Sequence, residues 1–454
     1  MGTRSAASAC SVSDRCLQGK RRRDVVSRLA HADLRAREPR FDPIAILLAA
    51  DAGRVRRLLP IKYARMKESP FAFFRGAVSV MAADLARLPN SGIDVQLCGD
   101  AHVQNLGSFA APDGNLIFDL NDFDETIRGP FEWDLKRMAA SLVLAGRESD
   151  HDAAACRSAA EACARSYCRF IGEFSRQPVL QAARHQVRRG ERAAPIHAAL
   201  RQSQRARPLD LLKKMTEPGR RGRPRFRDGR PLFWRIRGKV AQEVLDSLDA
   251  YRESLGPERV RLFDPFRSLD VGFKVVGTGS VGLRDYVVLF EGNGPRDPLF
   301  LQIKQEVASA YAKYLPDAAA RHQGQRVAQG QRAMQPLSDL LLGWTSIGPH
   351  EFVVRQLNDH KGKIDLQRLR GGGLESLALV AGELLARGHA RSGDACQIRG
   401  YCGSGGKLAK ALAAFATGYA DQTEADYRAF RAAVKSGRIK TARNGGAPIR
   451  VKSI

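Results

Sequence analysis

The sequence contains no apolar run of the roughly 18 residues that a membrane-spanning helix needs. Its first twenty residues also lack the apolar core of a secretory signal and run into Arg21, Arg22 and Arg23. Both absences predict a cytoplasmic protein with no membrane partner. None of the eight cysteines forms a CxxC pair, and a chain of 454 residues can build a core without disulfides. Structural zinc is therefore not expected, and most of the thiols are read as small buried hydrophobes. Acidic residues are scarce as well: 48 stand against 74 Lys and Arg, for a formal charge of +26. That excess points to an anionic partner, whether nucleic acid, acidic lipid or a phosphorylated ligand. What is present is 44% hydrophobic residues, which excludes a wholly disordered chain and supplies cores for two or three units of about 150 residues each.

The charge excess is local. Residues 1–40, 184–240 and 431–454 hold 35 basic and eight acidic side chains, so the other 333 residues are nearly neutral. The middle segment, with GRRGRPRFRDGR at 219–230, has the Arg, Gly and Pro content of a mobile insertion or linker. Periodic hydrophobic patterns resume on either side of it. Before it, DVQLCGD and NLIFDL read as strands around a Pro112-Asp113-Gly114 turn, followed by helices from about Asp134 and over 152–174. After it, DVGFKVVG, RDYVVLFEG and PLFLQIKQE alternate as strands joined by glycine turns. Helices are predicted over 321–342, 374–390 and 408–434, with the strand EFVVRQL between the first two.

Four local patterns bear on chemistry. Gly277-Thr278-Gly279-Ser280-Val281-Gly282 lies between two predicted strands, whereas the glycines of a dinucleotide-binding unit open a helix. A strand, glycine turn and strand make a flap whose backbone amides, including those of Gly277, Gly279, Ser280 and Gly282, can cover phosphates. Lys304 sits in the strand LQIKQE some twenty residues on, beside Ile303 and Leu301. Such a lysine is often a snorkelling edge charge, but beside a glycine flap it becomes a phosphate ligand. Asp100 and Asn105 share a loop in D-x4-N spacing, which can put a proton-accepting carboxylate next to a metal-binding carboxamide. Asp119, Asp122, Asp124 and Glu125 then crowd seven positions at a strand end, a set of hard oxygen donors that suits Mg²⁺ unless it is a solvated acidic turn.

Together these patterns resemble protein-kinase-like phosphotransferases, above all the aminoglycoside and choline kinase branch, whose catalytic loop reads HGDxHxxN ahead of a metal-binding Asp. The resemblance implies an α+β bilobal protein-kinase-like fold, with a small antiparallel β lobe, a larger helical lobe, and ATP and Mg²⁺ between them. It makes Asp100 the catalytic base, Asn105 one Mg²⁺ ligand, and Asp119 or Asp122 the other. Spacing from Asn105 favours Asp119, and spacing back from Asp134 in WDLKR favours Asp122. Cys98 replaces the His of that branch. The order of parts is also changed, because the catalytic and metal loops precede the flap and the lysine, which implies a circular permutation.

On that basis the chain divides into a basic tail (1–40), the first part of a helical lobe (41–183), a basic insertion (184–240), a β-rich nucleotide lobe (241–370), the second part of the helical lobe (371–436) and a basic tail (437–454). Over residues 36–436 the sequence also resembles an uncharacterised bacterial family, domain of unknown function 2252. YARMKESPFAFFRG, VQLCGDAHVQNLGSF, FDLNDFDETIRGPFEWDLKRMAAS and HARSGD carry that likeness, and it implies no activity.

Other residues have structural readings. Around SPFAFFRG, Phe71, Phe73 and Phe74 are read as core anchors, with phosphate binding by Arg65, Lys67 and Arg75 the alternative, while His389, Arg391 and Asp394 end a helix, with a catalytic role the alternative. A kinase lysine pairs with a helix glutamate, yet 321–335 holds no acid. Gln325, Gln329 or Gln331 would have to substitute, or Glu306 or Asp339 would have to reach. The first functional expectation is transfer of a phosphoryl group from Mg-ATP to an unidentified hydroxyl acceptor. The alternatives are a nucleotide-binding pseudoenzyme and a nucleic-acid-binding protein. The second of these is disfavoured because 184–240 offers only Phe226, Phe233 and Trp234 for stacking.

Overall fold

Alanine-rich sequence lets helices approach closely, and four such helices build the larger core of the computed structural model, which describes residues 10–34, 41–187, 194–205, 207–219, 222–316, 319–357 and 361–442. The Asp152 side chain caps Ala153–Phe174 by accepting a hydrogen bond from the Ala155 amide at 2.7 Å. This helix crosses Gly373–Ser392 so tightly that a Cβ on Gly382 would stand 2.2 Å from the Cys163 carbonyl oxygen. Glu132–Glu148 and Gly406–Lys435 complete the group. Its buried Leu, Ala, Phe and Tyr side chains thus come from both sides of the insertion and of the sheet that follows.

The main sheet has six antiparallel strands in the order Gly343–Ile347, His350–Gln356, Pro298–Glu306, Asp285–Glu291, Arg267–Lys274 and Phe233–Ile236. In register, Lys304 lies between Val353 and Asp285 near the middle of the sheet. The helix Lys239–Glu253 covers one face, burying Val244 and Tyr251, whose hydroxyl donates to the Leu341 carbonyl at 2.7 Å. All strand pairings in the named sheets are antiparallel, and the fold is α+β.

Several expectations from the sequence change here. The Pro112-Asp113-Gly114 turn joins Leu106–Ala110 to Leu116–Leu120, while Asp94–Leu97 pairs instead with Ile127–Pro130. The helix expected over 321–342 runs Gln323–Met334 and caps at Gln335, because Pro336 disfavours helical backbone in the residue before it. The strand Gly343–Ile347 then follows, and its sequence gave no strong alternation. The basic insertion holds the helices Ala194–Arg205 and Pro208–Met215, and its strand Phe233–Ile236 extends the main sheet. Within it Phe226 is buried, and Trp234 stacks on Phe273 with centroids 4.5 Å apart.

The first basic segment contains the helix Val12–Val25, opened by a Ser11–Asp14 capping box. It lies against Ala395–Cys402, where a Cβ on Gly19 would stand 1.9 Å from the Gln397 carbonyl oxygen. Arg23 and Arg28 donate to the carbonyls of Tyr401 and Cys402 at 2.9 and 3.0 Å, satisfying the end of that helix. The outer parts of the two tails, 1–9 and 443–454, lie outside the described residues. Among the described residues, no helix is long and apolar enough to cross a membrane.

Candidate functional site

The loop after Asp94–Leu97 is fixed by its backbone. Gly99 adopts φ +84°, and a Cβ there would stand 2.1 Å from the Glu125 carbonyl oxygen, so only glycine lets the two loops pass. Asp134 accepts hydrogen bonds from the amides of Cys98 and Gly99 at 2.7 and 2.9 Å, and His389 Nε2 lies 3.3 Å from the same carboxylate. The Tyr311 hydroxyl donates to the Gly99 carbonyl at 2.8 Å. Asp100 is thereby presented beside Arg137, whose Nε and Nη2 stand 2.7 and 2.6 Å from its Oδ1. Burial pushes the Asp100 carboxyl up, against the pull of Arg137. The Asn105 side-chain amide donates to the Asp100 carbonyl at 2.8 Å.

The acidic strand end divides its carboxylates. Asp119 and Arg387 form an ion pair at 2.5 Å with side chains only 1% and 2% exposed, and the second Asp119 oxygen has no hydrogen-bond partner. Phe123 is buried, and the residues flanking it, Asp122 and Asp124, line a cavity. Lys304 pairs with Asp124, and Asp122 Oδ1 lies 3.9 Å from the same ammonium, itself without a hydrogen bond. Burial alone would lower the Lys304 pKa, but Asp124 and Asp122 raise it. Burial likewise works to raise Asp124, and Lys304 and Arg355 hold it below the usual carboxylate range. Glu306 is pushed well up by burial and by Asp124. The partner of the strand lysine is thus neither a helix glutamine nor Glu306 or Asp339. Gln331 is engaged with Gln335 at 3.0 Å.

The flap joins Arg267–Lys274 to Asp285–Glu291. Gly277 and Gly282 take φ +66° and +97°, as its turns require. Arg54 donates to the carbonyls of Gly279 and Val281 at 2.7 Å each, and Arg65 donates to that of Gly277. A trans peptide points its N–H opposite its C=O, so the amides of Thr278, Ser280 and Gly282 face away from these guanidinium groups.

A cavity of about 340 Å³ brings these parts together, lined by Asp100, Asn105, Asp122 and Asp124 and by Gly279 and Ser280 of the flap. Lys304 reaches it through its carboxylate partners, whereas Asp119 stays in its buried pair. Among the described residues, no three His, Cys, Asp or Glu side chains form a metal cage. Asp122, with its unpartnered buried oxygen, and Asn105 supply two oxygen donors, a number that suits Mg²⁺ when phosphates complete its shell.

Sequence reasoning missed Arg54, Asp124 as the lysine's partner, and Arg137. Arg137 carried a signal, since it follows Asp134 by three positions on a helix with a long apolar face. Phe71, Phe73 and Phe74 are buried. His389 holds Asp134 and also meets the Tyr167 hydroxyl at 2.9 Å. Asp394 caps Ala395–Cys402.

No curated protein and no solved structure matches the chain. A family model described as an uncharacterized protein conserved in bacteria, DUF2252, matches residues 54–433, and the chain belongs to that family.

Proposed function

We propose that the protein is a phosphotransferase of permuted protein-kinase-like fold, moving a phosphoryl group from Mg-ATP to a hydroxyl acceptor. The observation that carries this reading is the common cavity of Asp100, Asn105, Asp122 and the flap residues Gly279 and Ser280, with Lys304 paired to its lining residues Asp122 and Asp124. The order of parts supports it as well. The flap joins two strands, the lysine lies on the next, a helix and a hairpin follow, and the helical core draws on segments before and after them. A chain cut between the lysine lobe and the catalytic loop would have this order.

Asp100 takes the acceptor's proton as the acceptor oxygen attacks the γ-phosphorus and the bond from that phosphorus to ADP breaks. Arg137 holds the Asp100 carboxylate in place, and burial makes it a better proton acceptor than a solvated one. Lys304 offers its charge to the phosphates in exchange for part of its pairing with Asp124. Asn105 and Asp122 would hold Mg²⁺, which when bound neutralises phosphate charge. On this reading the enzyme works in the cytoplasm, where its donor is found.

The test is transfer from γ-labelled ATP to a pool of small metabolites, or to the protein itself, with binding measured in parallel. Asp100→Asn abolishes transfer and leaves nucleotide binding intact. Loss of nucleotide binding in that variant with the fold preserved refutes the role given to Asp100. A wild-type protein that binds Mg-ATP without transfer or hydrolysis is a pseudoenzyme instead.

A further inference from the structure

A second cavity, of about 670 Å³, adjoins the first and shares Arg75 and Thr278 with it. Its size falls in the roughly 300–1,000 Å³ range of small-molecule sites. Arg65 and Arg75 stand on the flap side, and Arg207 and Lys214 come from the basic insertion. Lys274, at the end of the strand leading into the flap, and Lys361 and Lys363, after the strand His350–Gln356, complete a set of seven cations. Asp210 is the one carboxylate in the lining, and none of the seven forms an ion pair with a carboxylate among the described residues.

Arg75 adds an independent sign: its Nε is buried with no hydrogen-bond partner. Seven cations around a single lining carboxylate repel one another, and an anion relieves that repulsion. Burial lowers Lys274, and burial with Arg355 and Lys274 pushes Lys361 down to about 7, as expected of amines that gain from a bound negative charge. No aromatic ring lines the cavity, so a nucleobase would gain no stacking there.

We propose that this cavity binds an oligophosphate, a row of linked phosphoryl groups recognised through its phosphates and not through a base. The cations come from four separate segments of the chain around a cavity of about 670 Å³, a number and volume that suit a chain of charges better than a single anion. The row would run toward Arg75 and Thr278, where the cavity meets the acidic one. This inference concerns binding alone and survives the failure of the transfer reading.

The experiment is calorimetric titration of the full chain without Mg²⁺, at about 0.15 M salt, where long-range surface charge is screened. The probes are sodium tripolyphosphate, ATP, adenosine, sulfate and a short single-stranded RNA. Tripolyphosphate and ATP bind saturably, and adenosine does not. Lys214 and Lys363 are exposed, so the double variant Lys214→Glu/Lys363→Glu keeps its fold while losing about tenfold or more in affinity for both. Equal affinity for the two identifies inorganic oligophosphate as a sufficient ligand, and tighter ATP binding identifies a nucleotide as the source. The proposal is overturned if tripolyphosphate binds no tighter than sulfate, if the double variant binds it as well as the wild type, or if RNA binds more tightly than either phosphate probe. If the wild-type protein binds tripolyphosphate but transfers no phosphoryl group from Mg-ATP, the transfer reading alone is refuted.

Discussion

Asp119 and Asp122 sit three positions apart, yet Asp119 lies in a buried ion pair while Asp122 lines the cavity, and paired substitutions test the proposal that only Asp122 serves transfer. Asp119 and Arg387 are almost wholly sequestered, so water screens their attraction very little. Arg387→Met strands a carboxylate that already has one oxygen without a partner, and such single removals cost about 3–5 kcal/mol. Against a total stability of about 5–15 kcal/mol, that loss is severe. Replacing both residues, as Asp119→Leu/Arg387→Met, removes the buried charge altogether and recovers most of the loss. Urea unfolding followed by circular dichroism measures both effects. Asp122→Asn, at a partly exposed position, changes stability little and abolishes transfer. The reasoning fails if Arg387→Met costs less than about 1 kcal/mol, the scale of an exposed pair. It also fails if Asp119→Asn, folded normally, loses transfer as completely as Asp122→Asn.

Other outcomes follow from single contacts. Gly99→Ala forces a Cβ into the Glu125 carbonyl and should lower the thermal midpoint while removing transfer; a fully active variant would disprove the loop's stated geometry. Arg54→Ala releases the flap carbonyls, so hydrogen exchange at residues 277–282 should quicken, and unchanged protection would mean that other contacts hold the flap. Asp285 has its carboxyl pushed up to about 6, chiefly by burial, with one oxygen lacking a partner. Its folded value exceeds the unfolded one of about 3.9, so its stabilising contribution is full at low pH and is lost as pH rises through about 6. Asp285→Asn should therefore flatten the stability profile between about pH 4 and 6, and an unaltered slope in pH-dependent melting would contradict this.

The candidate site was legible where its signals are short. The glycine flap, the Asp100 to Asn105 spacing and the acidic strand end each fit within seven residues, and they converge on one cavity. The partner of Lys304 lies 180 residues away in the chain, at Asp124, and no local pattern connects the two. The buried pairing of Asp119 depends on Arg387, more distant still. The insertion was misjudged because composition weighs its arginines and not its few aromatics. Phe226 and Trp234 are buried, and the Phe226 amide and the Arg235 side chain both bond Asp270. By contrast, Asp152 announced its helix correctly, since a capping side chain is a local device.

The division of the helical core between two distant stretches governs when a newly made chain can become competent. His389 reaches Asp134 across 255 residues, and Arg387 reaches Asp119 across 268. A ribosome adding about 5–20 residues per second leaves the Asp100 loop without these anchors for roughly ten to fifty seconds. Throughout that interval the emerging segment exposes apolar helix faces that only later sequence can cover. Vectorial synthesis thus leaves the Asp100 loop without its Asp134–His389 anchor until translation is almost done.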